Sequence, residues 1–144
     1  MQGWSRMCIM AVGHWRRTEM AAEEFAAVAE RLRAVLAPYR DRLVATKDGP
    51  AGVSLEIPGL EGRPAGYVAG IRVGKRYVSY YFMPVYAWPS LLEGMSPELR
   101  RRMQGKACFN FARVDEALLA ELAAVTARGI ERYYSEGWPV AAKR

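Results

Sequence analysis

The amino-acid sequence predicts an α+β domain, an antiparallel sheet packed against an N-terminal and a C-terminal helix, with a short helix before the last strand. Two long segments, one near each end, repeat apolar residues at steps of three and four. The stretch between them alternates apolar and polar residues and is broken by glycine and proline clusters. The first pattern is the period of one buried helix face, the second that of a half-buried strand.

The first helix is expected over residues 18–37. Thr18 can cap it and Glu19 favours its first turn through the helix dipole. Phe25, Val28, Leu32, Val35 and Leu36 form its apolar stripe, and Pro38 disfavours helical backbone at Ala37 and closes it. Lys47 to Gly52, "KDGPAG", reads as a turn cluster. In "VSLEI", Val53, Leu55 and Ile57 point one way and Ser54 and Glu56 the other, which predicts a strand. Pro58 to Gly66 carries too many prolines and glycines for regular structure.

"YVAGIRVGKRYVSYYFM" predicts a hairpin closed by a two-residue type II′ turn at Gly74-Lys75. That register sets Val73 opposite Arg76, Ile71 opposite Val78, Ala69 opposite Tyr80 and Tyr67 opposite Phe82, and makes this the core face. The other face then carries Val68, Gly70, Arg72, Tyr77, Ser79 and Tyr81, with Gly70 across from Ser79 and Arg72 across from Tyr77. Pro84 and Pro89 bracket a crossover in which Trp88, Leu91 and Leu92 can plug the core edge. Ser96 caps the short helix, Pro97 takes its first position, and Gly105 ends it. "KACFNF" alternates again, Phe109 and Phe111 against Cys108 and Asn110. Asp115 caps the last helix, whose stripe is Leu119, Leu122, Thr126, Ile130 and Tyr133. Gly129 should weaken its middle by roughly 1 kcal/mol relative to alanine.

A chain of 144 residues suits one domain, and 51% hydrophobic with 25% charged residues is the balance of a globular one. Residues 18–138 are assigned to that domain, residues 1–17 to a leader that is disordered or an over-extended start, and residues 139–144 to a tail. No apolar run reaches the roughly 20 residues of a membrane-spanning helix. Cys8 and Cys108 are the only cysteines and His14 the only histidine, so neither a disulfide framework nor a His/Cys metal set is implied. A reducing cytoplasm fits this usage. The formal charge of +6 permits attraction to nucleic acid, but Arg16, Arg17, Lys143 and Arg144 place part of it at the ends.

"SPELRRRMQGKACFNF" contains the strongest basic run. Arg100 and Arg101, with Lys106 and with Arg72 on the hairpin, are the candidates for gripping nucleic acid. Successive helical residues are turned by about 100°, so Arg100, Arg101 and Arg102 cannot share a face. A solvated helix with Leu99 and Met103 packed inward is the expected reading, with nucleic-acid binding weak. Arg72, Tyr77, Ser79 and Tyr81 form a second candidate, a slot for a small ligand with a small floor between two phenol walls. Because buried tyrosine is ordinary, the expected arrangement puts a second helix over this face and leaves the hydroxyls at its rim. Glu19, Glu23 and Glu30 share part of the first helix, and nothing completes a metal shell around them. Ser79 and Cys108 have no partner base, and no phosphate loop is present. The reading is therefore non-enzymatic, with no cofactor and no defined partner.

"GIRVGKRYVSYYFMPVY", "SPELRRRMQGKACFNF" and "DEALLAELAAVTARGIERYY" together resemble the bacterial YdhG-like domain-of-unknown-function family, over about Phe25 to Tyr134. The resemblance implies a small cytoplasmic α+β domain that serves as a binding or accessory module. One branch of that family is described as a frataxin-like iron chaperone. That role wants exposed carboxylates, and this basic chain departs from it. A basic nucleic-acid-associated protein is the other alternative.

Overall fold

The computed structural model describes residues 22–57 and 66–136. The leader, the Thr18 cap, Glu19, most of the Pro58–Gly66 loop and the tail lie outside the described residues. Helix α1 occupies residues 22–36 and passes directly into a 3₁₀ helix, Ala37–Arg42. Proline at the second position of that tighter turn ends the α-helix without breaking the chain's direction. The strands are β1 (Val44–Gly49), β2 (Gly52–Ile57), β3 (Gly66–Val73), β4 (Val78–Phe82), β5 (Met103–Gln104) and β6 (Cys108–Phe111). Short helices α2 (Met83–Ala87) and α3 (Pro97–Arg100) carry the chain from β4 to β5, and the long helix α4, Glu116–Glu136, follows β6. All pairs are antiparallel and the sheet order is β1-β2-β3-β4-β6-β5. The fold is the α+β arrangement that the sequence predicts.

One face of the sheet carries Val53, Leu55, Ala69, Ile71, Val78, Tyr80, Phe82, Phe109 and Phe111, all buried. The helices return Val28, Leu32 and Leu36 from α1 and Leu119, Leu122, Val125, Ile130 and Tyr133 from α4. Thr126 interrupts the α4 stripe with a hydroxyl, and the fully buried Tyr80 hydroxyl lies 2.7 Å from it. Each satisfies the other, which removes the cost of two orphaned polar groups in the core. Where α4 crosses β4, a Cβ added at Gly129 would stand 2.5 Å from Phe82 Cε2 and 2.9 Å from Pro84 Cβ. The glycine lets the helix close on the sheet, so its helix penalty has a packing reason. Asp115 Oδ1 accepts the Leu118 N–H at 3.2 Å and Ser96 Oγ accepts the Leu99 N–H at 3.2 Å, which are the expected caps of α4 and α3.

Several expectations are corrected. The hairpin loop is Gly74 to Tyr77, four residues, because Val73 pairs with Val78, and inside it the Gly74 N–H donates to the Tyr77 carbonyl at 3.0 Å. Gly74 has no positive φ, which the type II′ turn required. Ile71 therefore faces Tyr80, Ala69 faces Phe82, Gly70 faces Tyr81 and Arg72 faces Ser79. The slip is two residues, an even number, so β4 keeps its assigned faces.

Tyr67 and Val68 do change sides. Leu55 pairs with Ala69 and Glu56 with Tyr67, which leaves Val68 as the extra residue of a β-bulge. Val68 is buried in the core, and Tyr67 turns to the other face. "KDGPAG" is not all turn, since Lys47, Asp48 and Gly49 end β1. The short helix stops at Arg100, and Met103–Gln104 is a strand whose turn into β6 uses Gly105 at φ 75°.

Candidate functional site

Both long helices lie on the Tyr80 side of the sheet. An Arg31–Glu116 ion pair joins α1 to the start of α4. Arg33 reaches Asp48 Oδ1 at 2.8 Å and the Gly49 carbonyl, and Arg40 reaches Asp48 Oδ2 at 2.9 Å, tying the helical layer to the β1–β2 hairpin. The hydrogen bonds from Arg33 and then Arg40 hold the Asp48 carboxyl below its ordinary value. With α1 and α4 on one face and both α2 and α3 in contact with α4, no described helix is left for the other. The helix expected over the tyrosines is thus absent among the described residues.

What stands on that second face is a row of hollows. The first, about 690 Å³, lies between the β1–β2 turn and the Tyr67, Arg72 and Tyr81 side chains. The second, about 320 Å³, is walled by Arg72, Lys75, Arg76, Tyr77, Tyr81 and Gln104. A third, about 340 Å³, lies at the β5 edge among Arg76, Tyr77, Arg101, Arg102 and Gln104. Arg72 and Tyr81 belong to the first two, and Arg76, Tyr77 and Gln104 to the last two. Arg72 is exposed and makes no ion pair with any described residue.

The slot floor differs from expectation. Gly70, across from Tyr81, lies under Tyr67, whose hydroxyl sits 2.0 Å from the place a Gly70 Cβ would take. To reach that point from three residues earlier, the Tyr67 side chain must run along β3. Burial, then Tyr81 and Cys108 beside it, pushes the Tyr67 phenol up to about 12, so it stays a neutral hydroxyl at physiological pH.

A polar network runs from the middle of the sheet to its edge. Ser79 Oγ donates to Asn110 Oδ1 at 2.8 Å, Asn110 Nδ2 donates to Gln104 Oε1 at 2.8 Å, and Tyr77 OH donates to the same Oε1 at 3.2 Å. These bonds engage the Gln104 oxygen, and its Nε2 donates to no described residue. Cys108 Sγ lies 3.4 Å from Asn110 Oδ1. Burial pushes its thiol up, against the opposing pull of the Ser79 and Tyr81 hydroxyls, so it is a poor nucleophile at neutral pH.

The structure therefore brings Arg72, Tyr77, Ser79 and Tyr81 together on one face. It splits the basic run. Arg100 turns back to the Leu92 carbonyl at 3.3 Å, and Lys106 lies over the Tyr86 ring at 5.8 Å, whereas Arg101 reaches the sheet edge. Glu23 and Glu30 are exposed on α1, and among the described residues no group of three His, Cys, Asp or Glu side chains is placed to hold a metal. Tyr67, Gln104 and Asn110 are parts of the face that the sequence reading did not single out. Asn110 had a signal, since it alternates with the buried Phe109 and Phe111, but the bulge that turns Tyr67 outward leaves none.

Comparison with family models, curated proteins and solved structures gives no significant match. No helix among the described residues is long and apolar enough to cross a membrane.

Proposed function

We propose that this chain is a non-enzymatic binding module of the YdhG-like kind, at work in the bacterial cytoplasm, and that the helix-free face of its sheet is the binding surface. The observation that carries the reading is the pairing of Arg72 and Tyr81. They stand on the divide between two hollows, and strand and loop residues alone line both. A guanidinium with no acidic partner among the described residues, beside phenols, supplies charge, an apolar wall and hydrogen-bond donors, which is the make-up of a recognition surface. The high-pKa thiol at Cys108 and a network of neutral amides and hydroxyls offer no acid–base pair for catalysis.

The test is amide chemical-shift mapping by NMR with four probes: adenosine monophosphate, pyrophosphate, a glutamate peptide and a thymidine oligonucleotide. At least one probe is expected to move the Gly70, Ser79, Tyr81 and Cys108 amides and leave α1 and α4 still. Shifts confined to the helical layer, or none with any probe, would overturn the reading.

A further inference from the structure

The geometry points to single-stranded nucleic acid as the ligand of the helix-free face, an inference that rests on that face being the binding surface. Three properties select this class. The first is shape. The hollows share walls in sequence, from the β1–β2 turn past Arg72 and Tyr81 to Gln104 and the arginine edge. A compact ligand fills one hollow, whereas a linear polymer can follow a row of them.

The second is charge. Lys47, Arg72, Lys75, Arg76, Arg101 and Arg102 line the row from end to end, and none makes an ion pair with a described residue. Two acids stand at or beside the row. Asp48 lines the first hollow, but its carboxylate is held by Arg33 and Arg40, and Glu56 pairs with Tyr67 near the end of β2. Cations spaced along a groove track a phosphate backbone. The segments outside the described residues offer no acidic excess to match this surface. Residues 1–21 carry Arg6, Arg16 and Arg17 against Glu19, residues 58–65 carry Arg63 against Glu61, and residues 137–144 carry Lys143 and Arg144.

The third is the aromatic platform. Tyr67 runs along β3 over Gly70, and Tyr81 stands next to it across the β3–β4 pair. Both residues are half-buried and so keep some exposed surface. Bases stack on such rings whatever their sequence, and a sheet with helices on its back is a known way to present them. The Gln104 Nε2 donor at the edge can meet a base or a phosphate. Duplex DNA is the poorer match, because α3, the helix that leads to the arginine edge, is a single turn and too short to serve as a major-groove helix.

The experiment measures fluorescence anisotropy of the full chain with a labelled thymidine oligonucleotide of about twelve residues, within the usual range of single-strand site sizes. The dissociation constant is expected in the micromolar range at low salt, rising steeply between about 50 and 200 mM. Arg72→Ala with Arg76→Ala should lower the magnitude of the log–log salt slope by about 1.4, two phosphates at ~0.7 each. Tyr81→Leu should weaken binding about tenfold and leave the slope unchanged, because stacking releases no counterions. Arg128→Ala, an exposed cation on α4, should change neither. The same sequence as a duplex should bind at least several-fold more weakly.

An oligonucleotide that fails to bind, or binds equally to the Tyr81→Leu and Arg72→Ala/Arg76→Ala chains, overturns the nucleic-acid assignment. So does a glutamate peptide that binds as tightly as the oligonucleotide. If the assignment falls while another probe still moves the Gly70 and Tyr81 amides, the face remains the binding surface and only its ligand class is wrong.

Discussion

Replacing Gly129 with alanine sets two effects of opposite sign against each other. Helix propensity alone favours the variant by about 1 kcal/mol, the ordinary gain from removing an interior glycine. Packing opposes it. The added Cβ would lie 2.5 Å from Phe82 Cε2, 2.7 Å from Phe82 Cζ and 2.9 Å from Pro84 Cβ. Carbon pairs are at ease near 3.5–4.0 Å, so something must move by about 1 Å. Phe82 has nowhere to go, being fully buried and stacked on Tyr80 with ring centroids 6.1 Å apart. Overpacking a filled core costs about 1–3 kcal/mol, and three simultaneous contacts with rigid groups put this site near the upper end. The net expectation is a loss of about 2 kcal/mol, seen in urea unfolding followed by circular dichroism, or as a fall in Tm of about 4–8 °C. On a Phe82→Leu background the same alanine should be tolerated better, since the atoms it meets have been removed. A gain near 1 kcal/mol in the otherwise native chain would refute the packing explanation and leave propensity in charge.

Phe109→Ala and Phe111→Ala should each cost about 3–5 kcal/mol in denaturant unfolding, as both rings are fully buried. Arg101→Ala, exposed at the β5 edge, should cost less than about 0.5 kcal/mol in the same assay. Stability should fall in alkali. Burial raises the Tyr80 phenol above its unfolded value and takes Tyr67 to about 12. Their contribution is therefore complete below the unfolded value of about 10 and is lost as pH climbs through the folded ones. Urea midpoints measured from neutral pH to about 11 check this, and Tyr80→Phe should flatten the profile while lowering stability at neutral pH by leaving Thr126 unpaired. Gly70→Ala should lift Tyr67 off the sheet, because its hydroxyl occupies the Cβ position, and should weaken whatever ligand the face takes. Unchanged Tyr67 ring signals in the NMR spectrum of that variant would contradict the placement of its hydroxyl over Gly70.

The helices and core strands were legible because their signal is periodic burial. Val28, Leu32 and Leu36 on α1, and Leu119 to Tyr133 on α4, sit where their spacing places them. Phe109 and Phe111 likewise share the core face. Strand β1 was missed for the converse reason. It is an edge strand, exposed from Val44 to Asp48, so it pairs through backbone and leaves no alternation to read. Strand β5 has two residues and no pattern to offer. The hairpin loop was misjudged because Gly74 suggested a positive φ that the backbone does not use, yet the even slip kept Ser79 and Tyr81 on the candidate face. The bulge at Val68 is an odd insertion. It exchanged the sides of Tyr67 and Val68, and no local composition announces it. That no described helix covers the face was equally illegible, since it depends on where α1 and α4 both dock and not on the residues of the face itself.

The one-sided layering has a consequence for how such a chain can vary through descent. Along β6 buried and half-buried residues alternate one by one, and in β4 the buried Tyr80 and Phe82 flank the half-buried Tyr81. Tyr80, Phe82, Phe109 and Phe111 are locked by the helices, while Arg72 and Arg76 are exposed and make no ion pair with a described residue. Changes at the second set should therefore be nearly neutral for folding, and on the proposed reading ligand preference can drift while the scaffold stays still. Within a lineage the face should diversify faster than the core, and a chain altered only there would keep its melting behaviour.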